Sequence, residues 1–345
     1  MKTFECKDQP IKVFGLMNFY KNGSLMRLPE EVMETLPQLR QYGSRSTGGR
    51  ICFRTNTTKL HVKLVSKTFI RDFSMPQIAS SGLNVFAGER KRSWFIGNVY
   101  PTGAEDTNPY VSETTFDLDG QMKDITMFMP KNEVIDNVYI SIDDDATIEA
   151  PTPYENEKPV VFYGSSITEG GCASRTGNTY NAFLSRWLNM DYINFGFSGS
   201  AKGEPELAEF IATVPMSVFV YDYDYNAPDV EHLARTHEPF FKIIREKNPD
   251  LPIIMMSRPN YACNPTENDK RIAVIRNTYE NALKNGDKNV YFVCGKTFFE
   301  DDDIFACTID RTHPNDLGFY RMAKEVYKTL APVFEKAVAA ERASK

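Results

Sequence analysis

The sequence predicts two architectures in tandem. A β-sandwich of jelly-roll type is expected over residues 1–150, followed over 151–345 by a three-layer α/β/α domain on a five-stranded parallel sheet. Three observations lead there. Up to about residue 150 the chain is a run of short β-rich segments separated by Gly, Asn, Asp and Pro, with no long helices between them, a pattern that folds as a sandwich or jelly roll. The segment 143–159, from Asp143-Asp144-Asp145 through Pro151-Thr152-Pro153 to Lys158-Pro159, is charged and rich in proline, and reads as a linker. Beyond it, short apolar runs alternate with stretches of helical period, which requires a parallel sheet covered on both faces.

In the first part, strands are predicted at 11–16, 50–55, 59–65 and 137–142, from period-two alternation or short β-rich runs, with one helical interruption at 29–39. The three adjacent Asp at 143–145 match no calcium-loop spacing and read as a solvated turn. In the second part, strands are predicted at 160–163, 192–194, 218–221, 253–257 and 290–293, and helices at 179–190, 205–214, 232–247, 267–284 and 317–338. A doubly wound sheet of flavodoxin-like type accommodates these units. It gathers the loops leaving its strands at one carboxyl edge, where the crevice between them binds ligands.

The first of those loops is where the chemistry is expected. Val160-Val161-Phe162-Tyr163 reads as a buried strand that runs into the tight turn Gly164-Ser165-Ser166. A serine is a poor nucleophile until a base takes its proton, a third group orients that base and donors hold the oxyanion. Asp310-Arg311-Thr312-His313-Pro314 supplies a carboxylate and an imidazole three residues apart, so that Asp310 can hold one ring nitrogen while the other faces a serine. The other histidines, His61, His232 and His237, lie in a strand pattern and a polar helical segment, which leaves His313 as the base. Taken singly, Ser166 reads as a turn serine or helix N-cap, Asp310 as a capping Asp and His313 as a surface residue. Only together do they form a triad. Pro314 keeps His313 out of the α region, and Asn315 or Asp316 can cap the last helix.

Four blocks occur in order: Gly164-Ser165-Ser166-Ile167-Thr168, Asn194-Phe195-Gly196-Phe197-Ser198-Gly199, Asp222-Tyr223-Asp224-Tyr225-Asn226 and Asp310-Arg311-Thr312-His313-Pro314. In order and rough spacing this set resembles the SGNH (GDSL-type) hydrolases over roughly the last 190 residues, and four blocks are far more specific than one. The resemblance implies Ser166 as nucleophile, His313 as base and Asp310 as orienting carboxylate. It implies an oxyanion hole made by the backbone N–H groups of Ser166 and Gly199 and the side chain of Asn226. Two positions depart from the usual pattern: Ser165 stands where Asp is usual, and Tyr225 where Gly is common. Gly82-Leu83-Asn84-Val85-Phe86 is similar to a loose form of the "GxDLY" signature of the β-sandwich that precedes some SGNH domains, with Asn for Asp and Phe for Tyr.

The activity so implied is that of a serine esterase removing a short acyl group, acetyl first of all, from a carbohydrate or related hydroxyl compound, with no metal or organic cofactor. The partner expected is a small-molecule or oligosaccharide ester. Two other readings stay open: a lipid or thioester acylhydrolase, and a glycan-binding protein whose α/β domain is an inactive scaffold. Several residues have a plainer reading beside the functional one. Gly199 suits any turn that needs positive φ, and Asn226 could cap the segment beginning near Pro228. Arg175 is placed at the pocket mouth and Arg258 on the substrate edge of the sheet, a structural ion pair being as good an account of Arg258. Cys172 reads as a packed thiol, and Glu300-Asp301-Asp302-Asp303 as a solvated loop. The run from Gly164 to Gly171 has neither the Lys-Ser/Thr of a P-loop nor GxGxxG spacing, which argues against nucleotide binding.

Composition sets the outer bounds. The 345 residues are 41% hydrophobic and 25% charged, values ordinary for a globular protein. The net charge of -6 comes with no basic stripe, which excludes nucleic acid as an expected partner, since that binding needs clustered Lys and Arg. No apolar run reaches membrane-spanning length and the first ten residues lack the apolar core of a signal peptide. Six cysteines, at 6, 52, 172, 263, 294 and 307, are scattered without CxxC spacing, as expected of reduced thiols in a cytoplasm. A homo-oligomer is compatible with such an enzyme.

Overall fold

Period-two burial builds the first part. A computed structural model describes residues 1–101, 108–299 and 304–344; the acidic run at 300–303 lies outside the described residues. Among the described residues, ten strands precede residue 150: β1 (Lys2–Glu5), β2 (Lys12–Phe14), β3 (Arg50–Thr55), β4 (Lys59–Ser66), β5 (Leu83–Gly88), β6 (Trp94–Val99), β7 (Tyr110–Asp117), β8 (Lys123–Phe128), β9 (Ile135–Ile142) and β10 (Ile148–Glu149). They pair antiparallel into a four-stranded sheet, β1-β9-β4-β7, and a second sheet, β10-β3-β8-β5-β6, on which β2 adds to β3. Alternate residues such as Ile51 and Phe53, Leu60 and Val62, Val85 and Ala87, Ile125 and Met127, and Val138 and Ile140 share one buried cluster between the sheets. This is the expected sandwich. Four of its strands are those predicted, and the predicted interruption at 29–39 is a helix at Glu30–Thr35 followed by a 3-10 turn at Pro37–Leu39.

The second part follows the alternating pattern. Strands β11 (Val160–Gly164), β12 (Tyr192–Gly196), β13 (Val218–Asp222), β14 (Ile253–Met256) and β15 (Val290–Val293) form one parallel sheet in the order β12-β11-β13-β14-β15. The long helices are α1 (Tyr180–Leu188), α2 (Pro205–Thr213), α3 (Val230–Lys247), α4 (Pro265–Lys284) and α5 (Asp316–Ala343). Because successive strand residues point to opposite faces, Val161, Tyr163, Phe219, Tyr221 and Met255 pack on α2, α3 and α4. Val160, Phe162, Val218, Val220 and Met256 pack on α1 and α5 instead. Both faces are covered, which is why these strands are apolar throughout. No helix among the described residues is long and apolar enough to cross a membrane.

The connecting segment is packed, not a free tether. β10 pairs with β3, and the Tyr154 ring lies under the guanidinium of Arg90, 4.4 Å from ring centre to cation. Asp143, expected in a solvated turn, organises the neighbouring loop. Its Oδ2 accepts from the Thr58 and Thr57 hydroxyls and from the Thr58 and Lys59 N–H groups, which hold the carboxyl down to about 2. Among the described residues, no group of His, Cys, Asp and Glu is arranged to hold a metal ion.

The outer face of the β5-containing sheet meets α1 and the turn before it. Asn84 Oδ1 accepts from Thr176 Oγ1 at 2.9 Å and from the Gly177 N–H at 2.8 Å, while its own amide donates to Asn98 Oδ1 at 2.8 Å. Phe86 lies under the Arg186 guanidinium at 4.6 Å. The loose signature at 82–86 is therefore the joint between the two parts. Asn in place of Asp fits there, because an amide accepts and donates at once.

The end of β12 is held against the loop after β11. A Cβ built on Gly196 would lie 2.1 Å from the Glu169 backbone nitrogen, so the loop can rest on β12 only where no side chain intervenes. Gly196→Ala is expected to cost about 3 kcal/mol by overpacking. Chemical denaturation of the variant measures it; an unchanged midpoint would contradict the packing described.

Candidate active site

The turn after β11 begins with a division of labour between two serines. Ser165 is the N-cap of the single helical turn Ser166–Glu169, its Oγ accepting from the Ile167 N–H at 3.1 Å. Asp and Ser serve about equally well as N-caps, so Ser165, standing where the usual motif has Asp, keeps a cap and leaves the Ser166 hydroxyl unused by the backbone. Ser166 is half-buried in an otherwise buried turn.

His313 reaches Ser166 from the loop before α5. Its Nε2 lies 2.9 Å from Ser166 Oγ, and its Nδ1 lies 2.7 Å from Asp310 Oδ2. Asp310 Oδ1 accepts from the backbone N–H of His313 at 2.7 Å and of Thr312 at 2.9 Å. Partial burial works to raise the Asp310 carboxyl; the His313 backbone and ring and the Thr312 N–H outweigh it and hold the group below its usual range. Arg311 takes a left-handed φ of 69° in this turn, and its carbonyl accepts from the Asn260 side chain. Asn315 caps α5, accepting from the Gly318 N–H at 3.1 Å.

Donors without acceptors gather at the same edge. Among the described residues, the Ser166 and Gly199 N–H groups and the Asn226 amide nitrogen make no hydrogen bond within the protein. Gly199 has φ +66° with no atom within 4 Å of a Cβ built there, so the turn needs a left-handed residue and opens outward. Asn226 caps nothing: Asp229 caps α3, accepting from the His232 N–H at 2.6 Å. Asn226 Oδ1 is buried without a partner.

The remaining residues singled out in the sequence lie around this edge with other contacts. Arg175 stacks on Phe95 of the sandwich, 3.8 Å from cation to ring centre. Arg258 bonds Asn268 Oδ1 at 2.6 Å, pairs with Glu267 at 3.3 Å and lies over Tyr225 at 4.9 Å. Each is engaged with protein, and neither has a contact that assigns it to substrate. Cys172 is buried, and burial pushes its thiol up. Of the other histidines, His237 is fully buried on Tyr221 and pushed down to about 3 by burial, so it is neutral. His232 bonds the Lys202 carbonyl at 2.9 Å, and His61 faces Thr115.

Sequence reasoning missed Glu169 and the residues around it. Glu169 closes the Ser166 turn, and its fully buried carboxylate pairs with Arg27 at 3.0 Å, Lys131 at 3.6 Å and Arg45 at 4.0 Å. A signal existed: Glu169 is the only charged residue between Val160 and Gly171, and a lone acid in an apolar stretch must find cations. Their identity was not readable, since they lie far away in the chain.

Residues 157–331 match the model of the GDSL-like lipase/acylhydrolase family, and residues 2–148 match that of the N-terminal region of SGNH-hydrolase-type esterases. The chain belongs to the GDSL-like lipase/acylhydrolase family. This SGNH hydrolase acts on esters. It is similar along its length to a structure described as a GDSL-like lipase from Bacteroides ovatus, with 26% identity over 97% of this chain and 98% of that one and a TM-score of 0.83. A salicylyl-acyltransferase from a tetracycline biosynthetic pathway shares the fold at 19% identity, covering 98% of each chain with a TM-score of 0.75. An acetyl xylan esterase from Butyrivibrio proteoclasticus does so at 13% identity over 97% of this chain and 100% of that one, with a TM-score of 0.60. No curated protein matches the chain in sequence.

Beneath the Ser166 turn of this hydrolase, Asp222 Oδ2 accepts from Thr168 Oγ1 at 2.7 Å and Tyr180 OH at 2.9 Å. Burial outweighs both hydroxyls and pushes the carboxyl up to about 7. The folded state thus holds a proton that the unfolded chain releases near pH 4. The contribution of Asp222 to stability is greatest below pH 4 and is lost as the pH rises to about 7. Asp222→Asn keeps an acceptor and removes the titration. Across that interval, stability of the parent relative to the variant is expected to fall by up to about 1.4 kcal/mol per pH unit, measured by urea unfolding; parallel profiles would refute it.

Proposed function

We propose that the chain is a serine esterase that releases a short acyl group, acetyl in the first place, from a hydroxyl of a carbohydrate or related compound through an acyl-enzyme. The observation that carries the reading is the continuous contact from Ser166 Oγ through the His313 ring to Asp310, at 2.9 Å and 2.7 Å, beside donors with nothing else to bond. In this mechanism Ser166 Oγ attacks the ester carbonyl while His313 Nε2 takes its proton. The oxyanion is held by the Ser166 and Gly199 N–H groups and the Asn226 amide. Collapse expels the alcohol, which receives the proton from His313. A water, activated by the same nitrogen, then attacks the acyl carbonyl and frees the acid and Ser166. Asp310 holds the imidazole in the tautomer that presents Nε2 as acceptor. As written, no step calls for a metal or an organic cofactor.

The carbohydrate part is supported by the fold shared with an acetyl xylan esterase and with family-two carbohydrate esterases, one solved with cellohexaose. Arg175 and Arg258 belong to the reading only as residues bordering the site. The cytoplasmic location is likewise proposed from cysteine usage, the cysteines forming no disulfide among the described residues.

Ser166→Ala is expected to abolish turnover of p-nitrophenyl acetate and labelling by a fluorophosphonate while the fold persists; activity retained by that variant would overturn the proposal. Asn226→Ala should lower kcat by about a hundred- to a thousandfold. A capping role would instead show as about 1 kcal/mol of stability with kcat intact. In a chain-length series of p-nitrophenyl esters, acetate should be the best substrate, with a steep decline beyond a few carbons. A rising series would favour a lipid acylhydrolase, and an unreactive Ser166 a binding protein.

A further inference from the structure

We propose that Glu169 is a positioning residue of the active site: its buried carboxylate, held from the sandwich side by Arg27, Arg45 and Lys131, fixes the Ser198–Gly199 turn relative to Ser166. The inference rests on the roles proposed above for Ser166 and Gly199.

The two oxygens of Glu169 face different parts of the molecule. Oε1 takes Arg27 Nη2 at 3.0 Å and lies 4.0 Å from Arg45 Nη1. Oε2 accepts from the Ser198 N–H at 3.3 Å and from the Ser198 hydroxyl, with Lys131 Nζ at 3.6 Å. Burial works to raise this carboxyl, yet Lys131, Arg27, Ser198 and Arg45 together hold it below its ordinary value, so it is charged. Burial brings Arg27 down only to about 10, so its charge persists too. One ionised group thus joins the turn that carries Ser166 to the turn that carries Gly199.

Arg27 is tied to the same place by its other donors. Its Nη1 bonds the Gly196 carbonyl at 2.7 Å and the Asn194 carbonyl at 3.3 Å, the end of β12 that leads into the Ser198–Gly199 turn. Lys131 comes close to the nucleophile as well: a Cβ built on Gly171 would lie 3.7 Å from Lys131 Cε and 3.7 Å from Ser166 Cβ. A Cβ built on Gly199 would meet no atom within 4 Å, so that side of the turn is open; the turn is closed by the Ser200 N–H on the Phe197 carbonyl at 3.0 Å and tied to Glu169 through Ser198. Stability alone does not account for such a cluster, because well-packed apolar side chains of the same volume serve as well or better. Geometry does: an oxyanion donor acts only where it is already placed when charge develops, and a displacement of about 1 Å can cost on the order of a hundredfold in rate.

Removing the Glu169 carboxylate would strand three buried cations, so the test is made at Ser198. Ser198→Ala keeps Glu169, its ion pairs and the longer backbone bond from the Ser198 N–H, and removes the hydroxyl, the shorter of the two links to the turn. Its kcat on p-nitrophenyl acetate is expected to fall about tenfold with KM within about twofold, since an interaction used only in the transition state lowers kcat alone. Affinity for phenylboronic acid, which forms a tetrahedral adduct on the serine, should weaken in parallel. Ser198→Thr, which keeps the hydroxyl, should restore both. A purely structural Ser198 would lower the Tm and leave kcat per folded molecule and boronate affinity unchanged; that result overturns the inference. The two readings fail separately: an active Ser166→Ala variant removes the proposed mechanism, whereas an inert Ser166→Ala beside an unimpaired Ser198→Ala removes the role of Glu169 alone.

Discussion

The structure turns on one close approach, the backbone of the Ser166–Glu169 turn resting on Gly196 at the end of β12. Parallel strands β11 and β12 keep Gly164 opposite Gly196, so the loops leaving them rise side by side. A Cβ at Gly196 would lie 2.1 Å from the Glu169 nitrogen. With that space closed, the Thr168 carbonyl comes within reach of the Asn194 and Asn181 amides, at 2.9 Å and 2.8 Å, and the Phe197 N–H bonds the Gly164 carbonyl at 2.9 Å. Residues of two sequence blocks thereby become one surface. The third and fourth blocks are set against it by β13, whose Asp222 bonds Thr168, and by the loop before α5, whose His313 meets Ser166.

The sandwich is part of that surface, not an appendage to it. Asn84 and Phe86 dock against the turn before α1 and against α1 itself, and Arg27, Arg45 and Lys131 enter beneath the Ser166 turn. A buried carboxylate needs compensating charge, and here the compensation is supplied from the first part of the chain, most remotely by Arg27 at a separation of 142. The α/β part without the sandwich would carry Glu169 with none of these cations.

Legibility followed the range of the interaction. The five parallel strands and the long helices were readable because apolar runs and helical period are local properties, and the segments at 160–164, 218–222 and 290–293 carry them almost without interruption. In the sandwich, β2, β3, β4 and β9 were readable from alternation or short β-rich runs. β8 opens with the buried pair Lys123 and Asp124, and β5 is buried on both faces and includes Asn84, so neither shows a plain apolar and polar face. The meeting of Ser166, Asp310 and His313 was legible because each sits in a recognisable block. Glu169 sits inside such a block too, but its partners are single cations in unrelated segments, and nothing in the sequence near Arg27, Arg45 or Lys131 distinguishes them from surface charges. The preference of Ser165 for capping was legible only once the turn was seen, since either serine of the pair can cap.

The Asp310 carboxylate binds both the backbone N–H of His313 and its ring, within a span of four consecutive residues. Acid and imidazole therefore travel as a preassembled clip. Building the site from an unfolded chain is a meeting of two bodies instead of three, with a single long-range alignment, imidazole to hydroxyl, left for the tertiary fold to make. A chain with this arrangement can lengthen, shorten or re-route the loops between β15 and the clip while the tautomer of its imidazole stays set by a turn that carries its own instructions.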